Sequence, residues 1–420
     1  MKKIKELLLP IYIILNILYI LIGSYLFTIK TINIKTFSHG YIVLLVLNLI
    51  IIFLLFFTRK KHKITIQIHD LLLLLIIMFG LIATVLAVVP KISLFGEYGR
   101  YEGLFSICYY MTLVFISSFI QAKHKKLIIY FILFSGLIQL IYATFQITEF
   151  GENIKRMYRF RDIWATGFLT NPNFFGTYML LCLSYTIGLY IDEKNKIIKI
   201  LNLLMIFAFT IGILISNTLS CIVGLIIVIG YVIVYLIKNK SFKKLALILI
   251  IIFVTSFGMH KFKMTTLFND VLTTGNEVKE ISRGNVSNNF GTNRMFIWKN
   301  SLKIVPKYML HGAGIDNFAH AFDGKALSDE RWIYDKVHNE FLQILICEGI
   351  FCLITYLILY GIIVIRGIKI SFKEKYIYLI LPIIGYLVQA FFNISVIEVA
   401  PLFYIGLGLC IERNQGGLHG

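Results

Sequence analysis

His338, in the run Val337-His338-Asn339-Glu340-Phe341-Leu342-Gln343, has the chemistry to move a proton. A neutral imidazole beside arginines can take a proton from a hydroxyl near neutral pH. The arginines come in three places. Arg100 sits in Gly96-Glu97-Tyr98-Gly99-Arg100-Tyr101-Glu102-Gly103. Arg159 and Arg161, with Lys155, Arg156 and Trp164, precede Thr170-Asn171-Pro172-Asn173. Arg283, Arg294 and Arg331 share the stretch 259–338 with His338. Guanidinium forks match phosphate oxygens, so such a set suits a diphosphate or another polyanion. Plainer roles fit the same residues: arginines snorkel to lipid headgroups, and a lone histidine caps a helix or sits at an interface. Gln343 and Glu348 are polar among apolar neighbours. Five residues apart, they do not share a helix face, and Glu348 reads as a packing or hydrogen-bonding residue.

Other chemistries lack their residues. The chain has no Asp-x-Asp pair, no P-loop, no Gly-x-Ser-x-Gly elbow and no His-Glu-x-x-His helix. Six cysteines, Cys108, Cys182, Cys221, Cys347, Cys352 and Cys410, all fall in apolar segments without metal-ligand spacing. No cofactor and no metal is expected. An enzyme on this frame would work without metal or nucleotide.

The elements that must position these residues are helices in lipid. Hydrophobic residues make up 58% of the 420, too many for a chain that must cover itself in polar surface. The apolar runs are continuous, without the alternation of a β-barrel. Spans are expected near 7–29, 40–58, 69–89, 103–121, 127–148, 171–191, 198–215, 218–237, 244–258, 339–365, 376–392 and 395–411. If the N-terminus is cytoplasmic, that side collects 22 Lys and Arg, against eight in the short connections of the other side. Long loops translocate largely regardless of charge, so 259–338 barely counts. The fold expected is an all-α integral membrane protein of about 12 transmembrane helices. Both termini would be cytoplasmic, with a large extracytoplasmic loop, 259–338, between helices 9 and 10. Residues 1–411 form the polytopic domain and 412–420 a flexible tail. The net charge of +19 belongs to helix ends and lipid headgroups, since no basic domain stands apart to bind nucleic acid.

Inside the long loop, Met295, Trp298, Leu302 and Val305 form an apolar stripe, with Lys299, Lys303 and Lys307 on another face. The pattern predicts an amphipathic helix at the interface, ended by Pro306, and suits equally a cover packed on the bundle.

Three segments together resemble the O-antigen ligase and polymerase superfamily of membrane glycosyltransferases (Wzy/WaaL type, with a Wzy_C-like region over about 165–360). They are Gly167-Phe-Leu-Thr-Asn171-Pro172-Asn173-Phe-Phe-Gly176, Gly291-Thr292-Asn293-Arg294-Met-Phe-Ile-Trp298 running on to His311-Gly312-Ala313-Gly314-Ile315-Asp316-Asn317-Phe318, and His338-Asn339-Glu-Phe-Leu342-Gln343 with Glu348-Gly349. Gly96–Gly103 is similar to a version found in Gram-positive members. The resemblance implies transfer of a glycan from an undecaprenyl-diphosphate carrier to an acceptor hydroxyl at the outer face of the bacterial cytoplasmic membrane. It implies His338 as base and Arg294 as diphosphate binder, with Arg159 or Arg161 as a further one and Arg100 beside them. Asn173, Trp298, Asn339 and Gln343 would support the site. The expected activity is repeat-unit polymerase, with ligation of a finished glycan to lipid, protein or wall as the alternative. A lipid-linked sugar flippase, the competing class, would carry charges within broken spans.

Overall fold

The computed structural model describes residues 2–58, 66–148, 164–288, 290–322, 334–374, 376–411 and 413. Arg159, Arg161, Arg331 and, except for Arg413, the tail 412–420 lie outside the described residues. Among the described residues, nine helices are long and apolar enough to cross a membrane. They are α1 (Lys2–Thr28), α2 (Ile34–Thr58), α3 (Ile68–Val85), α6 (Ala122–Gln146), α7 (Pro172–Asp192), α8 (Lys196–Ser216), α9 (Leu219–Lys238), α10 (Phe242–Lys261) and α15 (Ile350–Glu374). Three shorter apolar helices stand where the other expected spans fall: α5 (Leu104–Ser117), α16 (Ile377–Ala390) and α17 (Ala400–Cys410). At 1.5 Å per residue even α5 is only ~21 Å long, short of the ~30 Å hydrocarbon core. The chain is a multi-pass membrane protein.

The bundle is built around α7, which is buried along its whole length and packs on α8, α9 and α16. Asn171 starts it, its Oδ1 accepting from the Asn173 amide at 2.8 Å, and Pro172 fills the first turn, where an N–H has no partner to lose. At the periphery α2 and α10 expose Val43, Phe53, Phe57, Ile250, Phe253 and Phe257, as lipid-facing helices do. The six cysteines are free thiols, five of them buried in this packing.

The loop between α10 and α15 carries α11 (Leu267–Ser282), α12 (Arg294–Tyr308), α13 (Phe318–Ala321) and α14 (Glu340–Glu348); α4 (Pro90–Phe95) precedes α5. The single span expected over 339–365 is two helices. Gly349, at φ +87°, breaks it, and a neighbouring loop takes up the carbonyls that the break leaves free. The Ala313 amide donates to Ile346 O at 2.8 Å and the Gly314 amide to Cys347 O at 3.0 Å. Gly312 makes this docking possible, since a Cβ there would lie 2.2 Å from Cys347 O.

The amphipathic helix forms as α12, but two details differ from expectation. Pro306 lies inside the last turn, where the one bond it removes is close to the end, and the helix runs on to Tyr308. Its buried face is Ile297, Ser301 and Tyr308, whereas Leu302 of the expected stripe is 59% exposed. Trp298 turns the helix. Its indole N–H reaches a backbone carbonyl, a stronger directional demand than burial of one leucine. Lys299, Lys303 and Lys307 are exposed, as expected.

Candidate active site

Residues 335–339 cross the end of the bundle as an irregular segment held side chain by side chain. Asp335 accepts from Arg100 Nε at 2.7 Å. The Lys336 ammonium lies 2.5 Å from Asp316 and 3.6 Å from Glu102. Val337 is gripped through both backbone groups: its amide donates to Gln343 Oε1 at 3.0 Å, and its carbonyl accepts from Trp298 Nε1 at 3.0 Å. Asn339 caps α14, its Oδ1 accepting from the Leu342 amide at 3.0 Å. His338, between these anchors, adopts φ +55°. That left-handed conformation costs a non-glycine residue on the order of 1–2 kcal/mol, and here the flanking bonds hold it.

His338 faces an open cleft of about 370 Å³ lined also by Asn173, Thr292, Asn293, Arg294, Ile297, Tyr334 and Asp335. Arg294 enters it from the first turn of α12, after Gly291, Thr292 and Asn293, which take φ of +61°, +58° and +67° in succession. Three consecutive left-handed residues explain the glycine and asparagine of this motif. Asn173 enters from the first turn of α7. Thus His338, Arg294 and Asn173, from distant parts of the sequence, share one cleft. Trp298, Asn339 and Gln343 stand behind it as supports of the His338 segment. Arg100 pairs with Asp335 at the cleft wall, its guanidinium 5.7 Å from the Phe174 ring centroid.

Burial and then the Arg294 guanidinium pull the His338 pKa down to about 4, with Asp335 opposing. The imidazole is therefore neutral at physiological pH. Burial alone would raise the Asp335 carboxyl, but Arg100, helped by Lys336 and His338, holds it below the usual carboxylate range. Burial draws Arg294 below its ordinary value, with Cys221 opposing.

The family model Wzy_C, described as O-Antigen ligase, matches residues 203–357, the stretch that carries Arg294, Trp298 and His338. Over this stretch the chain is similar to the O-antigen ligase/polymerase superfamily. No curated protein matches the chain. Asn173, the cleft residue on α7, lies outside the matched stretch, and so do Arg100 and Glu102.

Behind the cleft lies a set of residues that the sequence does not announce. Glu102, Asp316, Lys336, Glu340, Gln343, Glu348 and Ser395 line a small cavity of about 40 Å³, room for on the order of two or three waters. Glu102 accepts from Ser395 Oγ at 2.6 Å. Burial pushes its carboxyl above the ordinary range, against the pull of Lys336. Asp316 Oδ2 accepts from the Glu97 amide at 2.7 Å and from the Glu102 amide at 3.3 Å, tying the Gly96–Gly103 loop to the His311–Phe318 motif. Gln343 and Glu348, five residues apart on α14, both line this cavity. The available signal was the density of acidic residues in otherwise apolar surroundings at Glu102, Glu340 and Glu348.

Proposed function

We propose that this protein is an inverting glycosyltransferase that moves a glycan from an undecaprenyl-diphosphate carrier to an acceptor hydroxyl, with His338 as the base. One observation carries the reading: a neutral His338 and Arg294 line the same open cleft at one end of an apolar bundle. As the bond to the anomeric carbon breaks, charge grows on the diphosphate oxygens, and a fixed guanidinium stabilises it without reorganising. The acceptor hydroxyl loses its proton to His338 Nδ1 or Nε2 as its oxygen attacks from the opposite face. A base of pKa about 4 is weak by itself. A bound diphosphate cancels the charge of Arg294 and raises the imidazole toward its working range.

Arg159 or Arg161, both outside the described residues, is the further diphosphate binder in this reading, and Arg100 pairs with Asp335 at the cleft wall. Asn173 orients substrate from the α7 end. In this reading the cleft faces outward, both termini are cytoplasmic, and the exposed Leu302 and lysines of α12 meet the headgroups.

Repeat-unit polymerisation is the activity we favour, because capsule and exopolysaccharide pathways need a polymerase with or without an outer membrane. The test uses the full-length protein in proteoliposomes with lipid-linked repeat units. Wild-type protein should yield long chains and His338→Ala only single units, with equal membrane insertion. Undiminished product from His338→Ala sinks the mechanism. In cells lacking the protein, complete carrier-linked chains left unattached would indicate a ligase, and an intermediate trapped on the inner leaflet a flippase.

A further inference from the structure

At the end of the bundle opposite His338, a second polar site stands apart from the cleft. The C-terminal end of α3 lies beside the His338 apparatus, where the Val88 amide donates to Ala313 O at 2.9 Å. The N-terminal end of α3, with Gln67 and His69, is therefore at the far side. α15 leaves the same apparatus at Ile350 and reaches Arg366 ~24 Å later along its axis. There Gln67, His69, Ile362, Ile363, Arg366, Ile370, Cys410 and Ile411 enclose a pocket of about 340 Å³.

Among the described residues its charges do not balance. Ile362, Arg366 and Ile370, four residues apart, make one stripe of α15, and Arg366 forms no ion pair among the described residues. His69 is 1% exposed, and its Nε2 has no hydrogen-bond partner among the described residues. The nearest carboxylate, Asp70, lies 3.8 Å from that nitrogen. Asp70 is already engaged: both Arg413 Nη atoms donate to it, and the Gln67 amide donates to its Oδ2 at 3.0 Å. Among the described residues, the pocket thus offers a guanidinium without a counter-ion and a buried imidazole nitrogen without a partner, against walls of isoleucine.

We infer that this pocket holds the phosphodiester of an anionic membrane lipid, with Arg366 and His69 Nε2–H donating to its oxygens. The guanidinium matches phosphate oxygens as a fork, and an otherwise unsatisfied buried nitrogen gains its bond. The apolar walls decide between sources. Ile362, Ile363, Ile370 and Ile411 would cover the glycerol and first methylenes of a lipid, and a free phosphate ion would leave them unserved.

Native mass spectrometry of the full-length protein, released from detergent after incubation with phosphatidylglycerol or phosphatidylcholine, tests this. Wild-type protein should retain phosphatidylglycerol over phosphatidylcholine. Arg366→Gln should lower that retention about tenfold, the loss of one charge-assisted pair. His69→Phe, which keeps the ring volume, should lower it by a smaller factor. Lys369→Gln, an exposed neighbour that does not line the pocket, should leave it unchanged. Equal retention by Arg366→Gln and wild type overturns the inference, as does an equal loss with Lys369→Gln, which would mean a diffuse basic surface. Displacement of the lipid by millimolar inorganic phosphate overturns the lipid assignment. Arg366 is exposed, so its replacement should leave the protein folded, and an unchanged size-exclusion profile verifies that.

Discussion

The indole N–H of Trp298 donates to the carbonyl oxygen of Val337 at 3.0 Å, joining α12 to the residue before His338. Gln343 holds the amide of the same Val337, so one residue is clamped from two helices and the next is presented to the cleft in a left-handed conformation. Trp298→Phe keeps the ring and removes the donor. An unmatched carbonyl costs about 1–3 kcal/mol, and the clamp loosens by a comparable amount. We expect kcat to fall roughly tenfold with KM little changed, measured as rate against lipid-linked donor concentration. An unaltered kcat would show that the clamp does not position the imidazole.

Arg294 makes His338 harder to protonate, and burial does so more strongly. Removing the guanidinium should therefore raise the His338 pKa from about 4 part of the way toward its ordinary 6.5. Histidine-selective carbethoxylation, which attacks the neutral ring, reads this directly. Near pH 5.5 the wild-type imidazole should stay neutral and reactive once exposed to reagent, whereas in Arg294→Gln the reaction should fade at higher pH. The folded-state pKa is depressed, so the unfolded chain binds a proton first. The contribution of His338 to stability is full above the unfolded value and declines as pH falls from about 6.5 to about 4. In His338→Gln this part of the acid sensitivity should disappear.

Arg100 and Asp335 are partly exposed, so their bond is worth modestly less than its short distance suggests. A double-mutant cycle with Arg100→Gln and Asp335→Asn should return a coupling of about 1 kcal/mol in thermal stability. If the two changes add independently, the pair does not brace the cleft wall.

Lys336 is a different case, because its ammonium is buried against Asp316 and Glu102. Lys336→Met leaves those carboxylates without their cation, a loss on the order of 3–5 kcal/mol. The melting temperature in detergent should drop clearly, and Asp316→Asn added to Lys336→Met should restore part of it by removing the uncompensated charge. A double variant no more stable than the single one would mean that packing, not charge, sets the role of Lys336.

Much of the architecture was legible from composition and run length. Most of the apolar runs became helices near the expected places, since backbone groups in lipid have no other partner, although three are short and 339–365 is split. Gly349 was visible but not its effect. A glycine inside an apolar run is tolerated or breaks the helix according to whether a neighbour takes the freed carbonyls, and here Ala313 and Gly314 do. The stripe on α12 was misread for a similar reason. Spacing identifies apolar residues, but the bond from Trp298 to Val337 sets which of them turn inward.

By itself the sequence determined the helical class, the places where helices run, and the residue types able to do chemistry, His338 and Arg294 foremost. Those properties follow from local composition and from side-chain chemistry, which need no partner. Tertiary structure alone decided that His338, Arg294 and Asn173 share a cleft, and that Asp335, Lys336, Glu102 and Asp316 hold it from behind. Those contacts join residues as far apart as Arg100 and Asp335, 235 positions along the chain. The spacing of charges along the chain carries no information about such distances. The packing of the helices does.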